Sequence, residues 1–213
     1  HGTWPDWVSE ATVARAAEQG ITAPWQHQVE FAEHAFHGRH AALTSATGSG
    51  KSLAYLLPII AATAEGRLGT EVRPPRLRRL THTALYLAPT KALAHDQERG
   101  AIDLGPQGWR VGAVDGDSDD AERRFAREFA DFVLTNPDML HYSILPNHQR
   151  WSRLLGGLRY IVVDEAHRYQ GVFGAHVAQV LRRLRRIAAH YGATPTVLLA
   201  SGTVARQLIV FDS

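Results

Sequence analysis

The 213-residue chain contains no cysteine, one methionine and only two lysines. Without cysteine, this stretch has no disulfide, no thiol nucleophile, no iron–sulfur ligand and no thiolate zinc site. Such a composition fits a reducing compartment, and a cytoplasmic location is the expectation. Long apolar runs are missing as well. The longest, Ser52 to Ala64, starts beside Lys51, contains Pro58 and falls short of the roughly 20 residues that a membrane span needs. No membrane partner is therefore expected. His1 to Pro5 shows no basic region followed by an apolar stretch, so no secretory leader is read there. Charge of one sign is absent too, because 23 basic residues face 21 acidic ones for a net charge of +2. The only lysines are Lys51 and Lys91, so nearly all of the basic residues are arginine. This near-balance permits a nucleic-acid partner without requiring one.

What is present is enough to build a core. The 45% hydrophobic content excludes an intrinsically disordered chain. The length suits one large domain, or one domain with an appendage. Short apolar runs alternate with amphipathic stretches. Strands are expected at His40–Thr44, Ala84–Leu87, Arg110–Val114, Phe132–Leu134, Tyr160–Val163 and Val197–Ala200. Helices are expected at Trp7–Gln19, Gln26–His37, Lys51–Ala64, Lys91–Ile102, Ala121–Ala130, Pro137–Tyr142, His148–Leu155 and Phe173–Tyr191. Glu65–Thr81 reads as a long loop with five arginines. The strands are continuous and aliphatic rather than alternating. That predicts an α/β fold, a mostly parallel sheet with helices on both faces. Right-handed crossovers then bring every strand-to-helix loop to one sheet edge, where ligands bind in such folds.

Two of those loops carry chemistry. Ser45-Ala46-Thr47-Gly48-Ser49-Gly50-Lys51-Ser52 follows the first strand and matches the phosphate-loop pattern at Gly50, Lys51 and Ser52. Gly48 and Gly50 allow the backbone to wrap closely around oxygens. Thr47 to Ser52 then point N–H groups and a helix N-terminus at phosphates. Lys51 reaches the β/γ-phosphates and Ser52 supplies a hydroxyl for Mg²⁺. A Gly/Ser turn before an unrelated helix gives a similar string, but the strand–loop–helix context favours phosphate binding. The second loop, Asp164-Glu165-Ala166-His167, follows the Tyr160–Val163 strand. Asp164 suits a Mg²⁺ contact and Glu165 suits activation of a water. Acids also decorate helix N-termini for dipole reasons alone. The phosphate loop in the same sheet favours the nucleotide reading.

Together these residues resemble superfamily 2 helicases with a DEAH box, over nearly the whole chain and in the family's motif order. Trp25-Gln26-His27-Gln28 is similar to the glutamine element that reads adenine, with Gln28 as the reader. Ser45–Ser52 is similar to motif I, Pro89–Ala94 to motif Ia, Thr135–Leu140 to motif Ib, Asp164–His167 to motif II and Ser201-Gly202-Thr203 to motif III. Thr135–Leu140, Trp151 and Tyr169–Gly174 resemble more closely the bacterial DNA-repair branch typified by mitomycin repair factor A and its mycobacterial and fungal relatives. The resemblance implies a RecA-like P-loop NTPase domain, with ATP and Mg²⁺ bound between it and a second RecA-like domain that this chain lacks. It also implies 3′→5′ movement on single-stranded or partly duplex DNA, and a later zinc-binding cysteine module outside this stretch. On this reading Thr90, Lys91, Thr135 and Asn136 hold the strand through phosphates. His167, Ser201 and Thr203 couple the nucleotide to it.

The expected organisation is a helical extension over 1–24, the RecA-like domain over 25–204, and an atypical tail over 205–213. That tail reads as a crossing strand, a truncation junction or foreign sequence. Three departures stand out: Ser45 at the first glycine position, Gly202 for the usual alanine, and the tail itself. The isolated chain is expected to bind ATP with weak turnover. The alternatives are a DEAH-type RNA helicase, a nucleotide-gated binding module without motor activity, and a kinase or transporter ATPase sharing only the phosphate loop. Several features have plainer readings. Arg67, Arg73, Arg76, Arg78 and Arg79 are a DNA-touching or merely solvated loop. Arg182, Arg183, Arg185 and Arg186 are the solvated face of an amphipathic helix. His34, His37 and His40 lack a carboxylate or cysteine framework for a metal. Trp4 and Trp7 are core or docking aromatics, and Asp115-Gly116-Asp117 has no firm role.

Overall fold

The computed structural model describes residues 1–45, 50–64, 82–169, 171–202 and 207–211. The expected loop over 65–81, with its arginines, lies outside them, as do Thr47, Gly48, Ser49 and Thr203.

The chain begins with α1 (Glu10–Glu18) and α2 (Gln26–Phe36), then enters β1 (His40–Ser45) and α3 (Lys51–Thr63). There follow β2 (Thr83–Leu87), α4 (Lys91–Leu104), β3 (Val111–Ala113), α5 (Asp120–Glu128) and β4 (Phe132–Thr135). After α6 (Pro137–Met139) the backbone loosens into a π-turn over Leu140–Ile144 and resumes as α7 (Ser152–Gly156). The last elements are β5 (Leu158–Val163), α8 (Gly171–His190), β6 (Thr196–Gly202) and β7 (Gln207–Phe211). Local chemistry sets the helix starts. α1 begins at Glu10 rather than Trp7 because the Ser9 hydroxyl accepts from the Thr12 amide and so caps it. A capping box of Asp119 and Glu122 opens α5.

The seven strands run in the order β3-β4-β2-β5-β6-β1-β7. All pairings are parallel except the last, in which β7 lies antiparallel to β1. Within the tail, Gln207–Phe211 forms a strand on the free side of β1. Strand alternation divides the core in two. Tyr86, Phe132, Leu134, Tyr160 and Val162 face Phe31, Leu57 and Ile60 on one side. Leu85, Leu87, Val133, Ile161 and Val163 face Trp151, Val180 and Leu184 on the other. The fold is thus the expected α/β sheet covered on both faces. The segment before α2 packs onto the domain. The Trp7 indole donates to Glu33 at 3.0 Å and stacks on Phe36 at 4.3 Å, and Arg15 donates to the Asp103 and Ile102 carbonyls at the end of α4. β7 leaves Ile209, Val210 and Phe211 exposed along its length.

Candidate nucleotide and nucleic-acid site

Because β1, β2, β4, β5 and β6 run the same way, their C-terminal ends share one edge. Ser45, Ala88–Lys91, Thr135–Asn136, Asp164–His167 and Ser201–Gly202 all lie along it. Gly50 caps α3 in the left-handed region, at φ 72°. That left-handed conformation favours glycine, and a Cβ there would push the Gln28 amide nitrogen from its place 2.7 Å away. Gln28 is buried, and its amide bridges two backbone groups. Its oxygen accepts from the Trp25 N–H at 2.7 Å, and its nitrogen donates to the Gly50 carbonyl at 2.8 Å. One N–H and one lone pair of that amide remain for a ligand. The Lys51 ammonium donates to the Ser45 carbonyl at 3.1 Å. A cavity of about 560 Å³ opens beside these groups, lined by Trp25, Gln28, Gly50, Ser52, Leu53 and Gln97 among others.

Asp164 sits at the end of β5 and is only 5% exposed. Its Oδ2 accepts from the Tyr86 hydroxyl at 2.5 Å and its Oδ1 from the Glu165 N–H at 2.7 Å. Burial outweighs those two bonds and the attraction of Lys51, and pushes the Asp164 carboxyl above its ordinary range. A carboxyl with a raised folded pKa holds its proton more tightly when folded than when unfolded. Its contribution therefore falls as pH rises from the ordinary carboxylate value of about 3.9 through the folded one. Asp164→Asn is expected to raise the melting temperature, with a gain over the native chain that grows as pH rises above about 4 and levels off once the folded carboxyl has lost its proton. Thermal denaturation across that range checks it, and a constant difference would count against the burial cost.

Glu165 is the one non-glycine residue with positive φ among the described residues, at 50°. Strain of this kind concentrates at functional sites. Its Oε2 lies 3.2 Å from His167 Nδ1. The same nitrogen accepts from the Gly202 N–H at 3.1 Å and lies 3.2 Å from the Ser201 hydroxyl. One nitrogen cannot accept from Gly202 and donate to Glu165 at once, so the two contacts are alternatives set by its protonation. Because the Gly202 contact uses the backbone, glycine at that position preserves it. Gly202 also pairs with Ser45 in the sheet ladder, which holds its backbone.

The remaining predicted contacts divide. Thr90 caps α4 through its hydroxyl and is exposed. Lys91 is exposed, paired with Asp117 and 4.0 Å from Asp115, and Asp117 holds its ammonium above the ordinary lysine value. Asp115-Gly116-Asp117 thus gains a role, holding Lys91. His95 extends the cluster, 3.2 Å from Glu98 and 3.3 Å from Asp115. Thr135 departs from expectation, since it is 1% exposed and donates its hydroxyl to the Val114 carbonyl at 2.7 Å. A phosphate cannot take that donor, because strand pairing turns the side chain inward. Asn136 caps α6 by accepting from the Met139 N–H at 2.8 Å. Further along, a Cβ on Gly174 would collide with the Tyr169 carbonyl, so the turn into α8 needs glycine there.

Sequence reasoning missed three residues. The Gln97 side-chain oxygen accepts from both the Ser52 and Tyr55 hydroxyls at 2.8 Å, and Tyr55 packs against Tyr86, which grips Asp164. Burial drives both phenols far above their usual range, so they act as neutral donors. The one available signal was Gln97 itself. It is a polar residue in the stripe Ala94, Gln97, Ala101 and Leu104, whose other members are buried and apolar.

A doubly covered, mostly parallel sheet with a lysine-bearing glycine turn and an acidic strand end on one edge defines a RecA-like P-loop NTPase domain. Residues 25–209 match the model of the DEAD/DEAH box helicase family, and the chain belongs to that family. It is 39% identical over 204 residues to the uncharacterized ATP-dependent helicase YprA of Bacillus subtilis, covering 94% of this chain and 26% of that protein. It is 38% identical to the ATP-dependent helicase hrq1 of Schizosaccharomyces pombe, covering 82% of this chain and 16% of that protein. Among solved structures, the DUF1998 helicase MrfA bound to DNA and AMPPNP superposes with a TM-score of 0.84 at 38% identity, covering 96% of this chain and 27% of that one. The chain thus spans about a quarter or less of the length of these relatives. No helix among the described residues is long and apolar enough to cross a membrane.

Proposed function

We propose that this chain is the ATP-binding first motor domain of a DNA helicase or translocase that moves 3′→5′ in DNA repair. The observation that carries the reading is the placement of Lys51, at the start of α3 after β1, and of Asp164–Glu165, at the end of β5, on one edge of the sheet. The DNA-bound relative at 38% identity supports DNA as the track.

The residues present fit a magnesium nucleotide. Ser52 and Asp164 offer the oxygen donors a hard cation takes, and the cavity between Trp25, Gln28 and Leu53 suits a nucleoside. Bound there, Mg²⁺ would neutralise phosphoryl oxygens. Gly50 and Lys51 stand at the start of α3, where Lys51 gives the phosphates a cation, and the phosphate contacts assigned by motif to Thr47, Gly48 and Ser49 lie outside the described residues. Gln28 presents its remaining amide hydrogen and lone pair to the base. Gln97 holds the Ser52 hydroxyl proton, which leaves the oxygen lone pairs outward. Glu165 orients the attacking water and accepts its proton. His167, exchanging Glu165 for Gly202 and Ser201, carries that change towards Thr203. Lys91 with Thr90, Asn136 and the backbone at Thr135 holds the strand. A second RecA-like domain supplies the arginines that complete the site. Such residues are worth about 10³–10⁵ in rate, so this chain alone binds ATP and turns it over weakly.

The test is ATPase and strand displacement by the full-length protein. Single-stranded DNA is expected to stimulate turnover more than RNA of the same length, and a 3′-tailed duplex to be opened in preference to a 5′-tailed one. Stimulation by RNA alone would move the assignment to an RNA helicase. Binding of ATP and DNA without any displacement would leave a nucleotide-gated module.

A further inference from the structure

Beyond the edge described above lies a second charged feature. α5 and the segment from the π-turn to Trp151 enclose a cavity of about 500 Å³, whose lining includes Arg123, Arg124, Arg127 and Arg150, with Asn147 and the acid Asp120. One of the four arginines and the end of α5 are held in place. Arg123 donates to the Ser118 and Gly116 carbonyls of the Lys91-binding loop. Arg153 donates to the Arg127 and Ala130 carbonyls and so fixes the end of α5. Arg124 and Arg127 share one carboxylate, Glu128, at 3.0 and 3.1 Å. Those two guanidiniums hold the Glu128 carboxyl below its ordinary value. Four guanidiniums against two carboxylates leave cationic charge around one concavity.

We propose that this groove binds the sugar–phosphate backbone of the single strand, beyond the Thr135–Leu140 segment. The inference rests on the nucleic-acid reading above and lengthens its footprint. Continuity supports the occupant. Met139, three residues after Asn136, lines the groove, and Arg123 ties it to the loop that holds Lys91. Guanidiniums suit phosphates through paired N–H donors. They contact the backbone without reading sequence. Glu128 occupies two of them until a phosphate takes its place.

The experiment uses the full-length protein and the anisotropy of labelled single-stranded DNA, in a 6-mer and an 18-mer, across a salt series. For Arg124→Ala/Arg127→Ala/Arg150→Ala, the slope of log K against log[salt] for the 18-mer is expected to shrink by about 2, at about 0.7 for each phosphate no longer neutralised. The 6-mer is expected to bind as in the native protein. Glu128→Gln is expected to tighten the 18-mer. That opposite sign cannot come from a misfolded variant. An unchanged 18-mer slope, or equal weakening of both probes, would overturn the proposal while leaving the nucleic-acid reading intact. No binding of either probe by the native protein would overturn both. A series in inorganic phosphate, matched in ionic strength to chloride, separates the sources of anion. If phosphate alone abolishes the difference between variant and native protein, the groove is a free-anion site and not a strand site.

Discussion

Glu165→Gln is expected to leave nucleotide binding nearly unchanged and to slow turnover by about 10²–10⁴-fold, the usual contribution of a positioned general base. The substitution keeps the volume and shape of the side chain. It also keeps the one hydrogen bond the residue makes with Asp164, because that bond comes from the Glu165 backbone N–H. What it removes is the basicity of an oxygen 3.2 Å from His167. Lys51→Ala should do the reverse. It removes the cation from the glycine turn, so nucleotide affinity falls before chemistry is reached. Titration with a fluorescent nucleotide, together with single-turnover hydrolysis in the full-length protein, separates the two outcomes. Equal residual turnover with equal loss of binding in both variants would undo the division of roles between the two loops.

The largest effect on stability is expected far from that chemistry. Phe132 is 1% exposed, stacks on Trp109 with centroids 5.7 Å apart, and meets the edge of Tyr86 at 6.4 Å. Phe132→Ala is expected to cost about 3–5 kcal/mol, since rigid neighbours on two sides cannot close the space. The Trp109 indole is held by Thr63 at 2.9 Å, which further limits collapse. Chemical denaturation reads the loss directly. A cost below about 1 kcal/mol would mean that the two flanking rings move together after all. The site should register the change as well, because Tyr86 is the ring whose hydroxyl grips Asp164.

The parts of the fold legible in the sequence were those governed by short-range rules. The aliphatic runs at Tyr160–Val163 and Val197–Ala200 became central parallel strands, because a strand buried on both faces must be apolar throughout. The turn at Gly50 was legible because its left-handed backbone favours glycine. The opacity lay in contacts between elements. Tyr86 sits within the strand Thr83–Leu87, and nothing local separates a tyrosine that fills a core from one that also binds a carboxylate. Thr135 was assigned a phosphate from its place in the helicase motif, and nothing local shows that its hydroxyl is taken by the Val114 carbonyl. The antiparallel seating of β7 depends on β1 having a free flank, a property of the assembled sheet. The basic groove was invisible for the same reason, since Arg150 and the α5 arginines converge only in three dimensions.

The two flanks of the sheet differ in kind. β3 offers three residues to a newcomer, whereas β7 offers five and shows three apolar side chains to solvent. Unsatisfied ladder groups beside exposed hydrophobic side chains template the addition of further strands. Self-association of this domain, under conditions that loosen it, would therefore begin on the β7 side. A charged residue at Val210 would be the gatekeeper to install there when preparing the domain at high concentration.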